Sequence, residues 1–257
     1  MRTFWVVLLM LSGFSGAFAQ SGTSEPIESG VTLRMSAPVT VTGERKFLLG
    51  ISTNDVYECK GTFIENEVHI QGTTLLIKLK NVRVPANCEA QMGPAVANID
   101  LSSLKPGNYP IRVTINRQVF KADLEITPNY YNLVLGPEDP MLFRTFNGRL
   151  NLIPSNSVWG VCSYTRPEQR DLALKFMKEL EAAGAQPTNL PAGNYDDFYL
   201  HETGKTQEKE VARSRYEFPF VYNFSGNLEV VKEILNSYQG KLDITYLNSR
   251  GLAIRNF

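Results

Sequence analysis

Leu104-Lys105-Pro106-Gly107-Asn108-Tyr109-Pro110-Ile111-Arg112-Val113 decides the reading of the first half of the chain. A Pro-Gly turn is followed by a tyrosine and then by apolar residues at alternate positions, the period of a strand with one buried face. The same grammar extends both ways. Upstream lie Val31 to Met35, Val39 to Thr42, Lys46 to Leu49, Val68 to Ile70 and Leu75 to Leu79; downstream lies Phe120 to Ile126. Turn residues separate these segments at short spacing and no useful helical period intervenes. Residues 31–127 are therefore expected to form an antiparallel β-sandwich.

The Pro-Gly-x-Tyr stretch resembles the start of strand F in immunoglobulin-like (Ig-like) domains of exported proteins, where a tyrosine forms a hydrogen-bonded corner. The resemblance implies an Ig-like β-sandwich over roughly a hundred residues. It does not extend to the antibody disulfide, because Val113 occupies the place of the second cysteine. Cys59 and Cys88 fall elsewhere, 29 residues apart within the strand-rich stretch, and are expected to pair. In the chain-entropy view such a closure stabilises the fold by about 3 kcal/mol. The third cysteine, Cys162, is then left over.

Beyond residue 157 the rhythm changes. Ser157 to Tyr164 reads as a strand, and Thr165-Arg166-Pro167-Glu168 as a capping box with an early proline. Ala173, Phe176, Met177, Leu180 and Ala183 give one apolar helix face, stopped by Gly184. A second strand is expected near Asp197 to His201 and a third over Tyr216 to Phe224. Ser225-Gly226-Asn227 opens a second helix, with Leu228, Val231, Ile234, Leu235 and Tyr238 on its buried face and Gly240 at its end. A last strand spans Leu242 to Leu247 and turns back through Asn248-Ser249-Arg250-Gly251. The order β-α-β-β-α-β is the ferredoxin-like arrangement. The expectation is thus a two-domain chain: an all-β Ig-like sandwich over 31–127, then an α+β ferredoxin-like domain over 128–257. Tyr130 to Leu135 and Met141 to Phe146 are possible strands near the boundary. No internal repeat is read.

The N-terminus carries an export signal. Arg2 precedes the apolar run Phe4 to Leu11, small residues follow, and Ala17-Phe18-Ala19 is an A-x-A cleavage site. The run is too short for a membrane anchor, which needs about 20 apolar residues. Residues 1–19 are expected to be a signal peptide cleaved near Ala19-Gln20, residues 20–30 a flexible segment, and the mature chain secreted or periplasmic. Without residues 1–19 the chain has 25 basic and 26 acidic side chains. That balance excludes the basic surplus of a nucleic-acid binder.

Few residues invite chemistry. Cys162 is the one candidate nucleophile, and a thiol needs a base to become thiolate near neutral pH. Of the two histidines, His69 belongs to the first half, and His201 ends a strand that the ferredoxin-like order separates from that of Cys162. Two histidines in separate halves make poor metal ligands, and no motif calls for a cofactor. Asp196-Asp197 reads as an exposed turn. Tyr216, Phe218, Phe220, Tyr222 and Phe224 share one strand face, which is expected to pack beneath the helices rather than form a stacking platform. The opposite face is left to solvent or a partner. Pro219 removes a ladder donor and implies a bulge or a shorter neighbouring strand. The leading expectation is a non-catalytic binding or interaction protein of the cell envelope or exterior, with a protein or carbohydrate partner. The alternatives are a Cys-dependent enzyme using Cys162 with His201, and a propeptide-like or inhibitor module.

Overall fold

The computed structural model describes residues 22–38, 40, 44–137, 140–188, 190–196, 198–202, 206–208 and 216–256. The export signal and its cleavage site lie outside them, as do Val39, Val41, Thr42 and Asp197. Among the described residues no helix is long and apolar enough to cross a membrane. Among the described residues the chain is mostly β, with two α-helices.

Among the described residues up to Asn151 every element is a strand: β1 (Thr23–Glu25), β2 (Val31–Ser36), β3 (Leu48–Thr53), β4 (Tyr57–Cys59), β5 (Phe63–Gln71), β6 (Thr74–Val84), β7 (Ala90–Gly93), β8 (Val96–Asp100), β9 (Gly107–Ile115), β10 (Gln118–Ile126), β11 (Tyr130–Leu135), β12 (Phe143–Thr145) and β13 (Arg149–Asn151). All but β4 and β7 join one sheet, ordered β12-β2-β3-β8-β5-β6-β9-β10-β11-β13, with β1 beside β6. The sheet curls over on itself. Its two halves meet edgewise at a single pair, Phe63 with Val96. Phe120 on β10 stacks on Phe143 of β12 at 5.1 Å, and Phe47, just before β3, on Tyr131 of β11 at 3.8 Å. Strands far apart along the sheet thus face each other. Their alternate residues, such as Val31, Leu33 and Met35 opposite Phe120, Ala122 and Leu124, fill the space between. β4 and β7 form a separate arm beside which Cys59 and Cys88 are bonded as expected, with Cα atoms 5.5 Å apart.

Two expected limits differ from what is found. Thr23–Glu25, assigned to a flexible segment, pairs with Val82–Val84. The cause lies in β6, which bonds β9 only over Leu75–Leu79 and leaves its far end open; Ile27, 2% exposed, anchors the approach. The boundary near residue 128 does not coincide with any break in the sheet. β11, β12 and β13 all bond into it, and Leu133, Phe143 and Leu150 belong to its core.

After Asn151 come β14 (Ser157–Tyr164), α1 (Arg170–Ala182), β15 (Gln186–Pro187), β16 (Gly193–Asn194), β17 (Phe198–Leu200), β18 (Thr206–Glu208), β19 (Tyr216–Asn223), α2 (Leu228–Ser237), β20 (Asp243–Asn248) and β21 (Ala253–Arg255). A five-stranded sheet runs β15-β19-β14-β20-β21, and β16-β17-β18 form a small sheet of their own. The second strand expected near Asp197 to His201 is therefore not in the larger sheet: Phe198–Leu200 is the middle of the small one, and the two-residue β15 lies beside β19 instead.

The helices form for the reasons their sequences give. Ala173, Phe176, Met177 and Leu180 of α1 are buried, and Gly184 closes the helix at φ +102°. The capping box sits one place further on than read. The Gln169 side chain, not Glu168, accepts from the Arg166 N–H at 3.1 Å, and a 3₁₀ turn over Pro167–Gln169 precedes the helix. Asn227 caps α2 by accepting from the Glu229 N–H at 2.9 Å. Both helices cover one face of the sheet, where Phe220, Tyr222 and Phe224 pack beneath them with Cys162 and Ile244. The opposite face is not left to solvent. Trp159 and Val221 there meet Tyr195, Phe198 and Leu200 of the small sheet. With both faces covered, β14 is buried at every position.

Candidate functional site

The two halves meet at the edge where β13 ends and the small sheet begins. Asp196 fastens the junction. Its carboxylate accepts from the Ala37 N–H at 2.7 Å and stands 4.0 Å from the Arg34 guanidinium, with the side chain 12% exposed. Its φ is +67°, a conformation Asp tolerates better than most residues. Asp196 is thus a partly buried tie between halves rather than the exposed turn expected of it. Gly193 completes the contact. A Cβ there would stand 2.6 Å from the Asn151 Nδ2, and its φ is +138°, so the approach needs glycine.

Next to this tie is a groove of about 440 Å³ with one wall from each half. Phe146, Asn147, Arg149 and Asn151 line it from the curled sheet; Gly193, Asn194 and Tyr199 line it from the small sheet. Local structure explains each placement. The Phe146 N–H donates to the Leu33 carbonyl at 2.7 Å, extending the parallel β12–β2 edge by one residue, and its ring is left 67% exposed. Asn147 is held by its own amide, which accepts from the Met35 N–H and donates to the Met35 carbonyl, both at 2.8 Å. In β17, Phe198 and Leu200 point into the Trp159 cluster, so alternation turns Tyr199 outward. That ring is 44% exposed and edge-on to His201 at 5.0 Å.

Arg149 is the only charged residue among the described residues that line the groove. Its guanidinium lies 3.9 Å from the Tyr130 ring centroid, and its Nε donates to Asn151 Oδ1 at 3.1 Å. The cation is therefore fixed in direction by stacking and one hydrogen bond. Among the described residues no carboxylate pairs with it. Arg34 sits over the Phe146 ring at 5.2 Å. The groove thus presents two exposed rings, amides and an oriented cation.

The residues singled out from the sequence lie elsewhere. Cys162 is 0% exposed in the core under the helices, where it pairs across the sheet with Phe218 and Ile244. Burial pushes its thiol well above the usual range. His201 is exposed at the end of the small sheet, and His69 lies on β5 in the other half. The structure does not bring Cys162 and either histidine together.

The groove residues were missed because none belongs to a motif, yet one signal was present. Leu190-Pro191-Ala192-Gly193-Asn194-Tyr195 shares its Leu, Gly, Asn and Tyr with Leu104-Lys105-Pro106-Gly107-Asn108-Tyr109. In both segments the tyrosine hydroxyl donates to the carbonyl four residues back: Tyr109 to Lys105 at 2.8 Å and Tyr195 to Pro191 at 2.7 Å. In both a strand begins at the glycine. Reading the second segment as a strand-opening corner would have separated Phe198–Leu200 from the larger sheet. In comparisons with family models, curated proteins and solved structures, the chain matches none.

Proposed function

We propose that the chain is an exported, non-catalytic binding protein whose ligand seat is the junction groove. In this reading an Ig-like sandwich extends to about Asn151, and a ferredoxin-like α+β unit follows from Ser157. The Ig-like part is supported by the Tyr109–Lys105 corner and the two facing layers of the curled sheet. The ferredoxin-like part is supported by the order β15-β19-β14-β20, which places the second, third, first and fourth strands of a split βαβ side by side. β16 to β18 are then an insertion that carries Tyr199 to the junction. Export is supported by the Arg2 to Ala19 pattern and agrees with the Cys59–Cys88 disulfide.

The observation that carries the binding reading is the pair of exposed rings, Phe146 and Tyr199, on one groove beside an oriented guanidinium. Exposed aromatics with adjacent amides and Arg are the residue types that dominate recognition surfaces. The test is titration of the purified mature protein with a panel of soluble oligosaccharides and peptides, read by amide chemical shifts. A saturable ligand whose shifts map to the groove and vanish in Phe146→Ala/Tyr199→Ala supports the reading. Ligands unaffected by that double variant overturn it, as does turnover by the pure protein that Cys162→Ser abolishes.

A further inference from the structure

We infer that the ligand of the junction groove is a saccharide bearing a carboxylate, held with a sugar ring on Tyr199 or Phe146 and its acid group on Arg149; this rests on the reading of the groove as the ligand seat. Tyr199 and Phe146 are exposed rings lining the groove, Phe146 with the Arg34 guanidinium over it at 5.2 Å, and an aromatic face takes the C–H side of a pyranose without asking for a fixed hydrogen-bond pattern. Amides next to the rings suit hydroxyl groups, which both donate and accept.

Charge narrows the class. Among the described residues the lining holds one guanidinium and no carboxylate. Stacking on Tyr130 and the bond from Nε to Asn151 Oδ1 consume the face and one N–H of Arg149. Its terminal nitrogens have no protein partner among the described residues. A planar fork with free donors, already immobilised, matches a carboxylate in two parallel bonds. The neighbouring Arg34 stands 4.0 Å from Asp196, so that carboxylate offsets part of its field. The expected ligand therefore carries one acid group close to a ring, the chemistry of a uronic acid unit. A neutral glycan would meet the Arg149 fork with hydroxyl acceptors alone, without the charge-assisted pair.

The experiment compares a short oligogalacturonate with the same oligomer methyl-esterified, by calorimetry on the mature protein. The ester keeps rings and hydroxyls and loses the charge. The acid is expected to bind about tenfold or more tightly than the ester, the gain of a charge-assisted pair. Arg149→Gln should remove that difference by weakening the acid alone, and added salt should act in the same direction. Equal binding of acid and ester, or an unchanged preference in Arg149→Gln, overturns the inference. If both bind equally and Phe146→Ala/Tyr199→Ala abolishes both, the groove stands as a neutral-glycan site and only the acid is lost. If neither oligomer binds, the inference falls, while the ligand panel decides the groove separately.

Discussion

Replacing Asp196 by alanine tests the tie between the two halves without touching either core. Two terms set the magnitude. The variant removes the acceptor of the Ala37 N–H, a charge-assisted bond of 2.7 Å, which contributes about 1.5–3 kcal/mol when largely shielded from water. It also places alanine at φ +67°, where a Cβ without a short polar side chain costs about 1 kcal/mol. The Arg34 pair at 4.0 Å adds little, because Arg34 is half exposed. The expected loss is about 2–4 kcal/mol, read from the urea midpoint at constant slope. Asp196→Asn keeps the acceptor and tolerates the backbone, and is expected to lose about 1 kcal/mol or less. Since the carboxylate ties the two halves beside the groove, Asp196→Ala should also weaken groove ligands at temperatures where the variant is still folded. A variant within about 0.5 kcal/mol of the parent, with unchanged ligand affinity, would refute the assignment of Asp196 as the tie.

Gly160→Ala is expected to destabilise by about 3 kcal/mol by thermal melting, since the new Cβ would overlap the Thr245 carbonyl and stand 2.8 Å from the Phe220 ring; a melting point unchanged from the parent would show that β20 yields freely. Alkylation followed by mass spectrometry, without reductant, should label Cys162 only after unfolding and leave Cys59 and Cys88 unlabelled, because Cys162 is fully buried and the others are bonded; rapid native labelling at mildly acidic pH would show an exposed thiolate. Stability should also fall as pH rises above about 10. Burial pushes Tyr195 and Tyr246 up to about 12, while the unfolded chain ionises near about 10. Below that pH both states hold the protons and stability is full; above it only the unfolded state releases them, so stability drains until the folded groups titrate. Equal urea midpoints at about pH 9 and about pH 11 would contradict this.

Much of the fold was legible because it rests on local periodicity. The strand Ser157 to Tyr164, the α1 face, the Asn227 cap and the aromatic face of β19 each follow from residues close in sequence. The disulfide was legible too, since Cys59 and Cys88 were the two cysteines within one strand-rich stretch. Pairing across long separations was not. β12 bonds β2 in parallel, Phe143 to Val31, and nothing in either segment names the other. β1 and β8 were unread because their partners, not their own residues, make them strands. The groove was least legible of all. Phe146 and Tyr199 are ordinary aromatics in sequence and become a surface only when β13 and the small sheet are brought together.

Pro219 shows how close the right reading lay. It sits inside an eight-residue strand, where it has no N–H to give a neighbour. A long second strand, such as one spanning Asp197 to His201, would have run alongside it. β15 instead pairs only with Asn223 and Tyr222 and stops before reaching it. The proline therefore tolerates its place because the neighbour is short, the option it had implied. Once the second strand needs only two residues, Phe198–Leu200 is released from the larger sheet. It can then lie over Trp159 on the face away from the helices, and its alternation turns Tyr199 toward Phe146. A single missing donor in β19 thus bears on whether the junction has one aromatic wall or two.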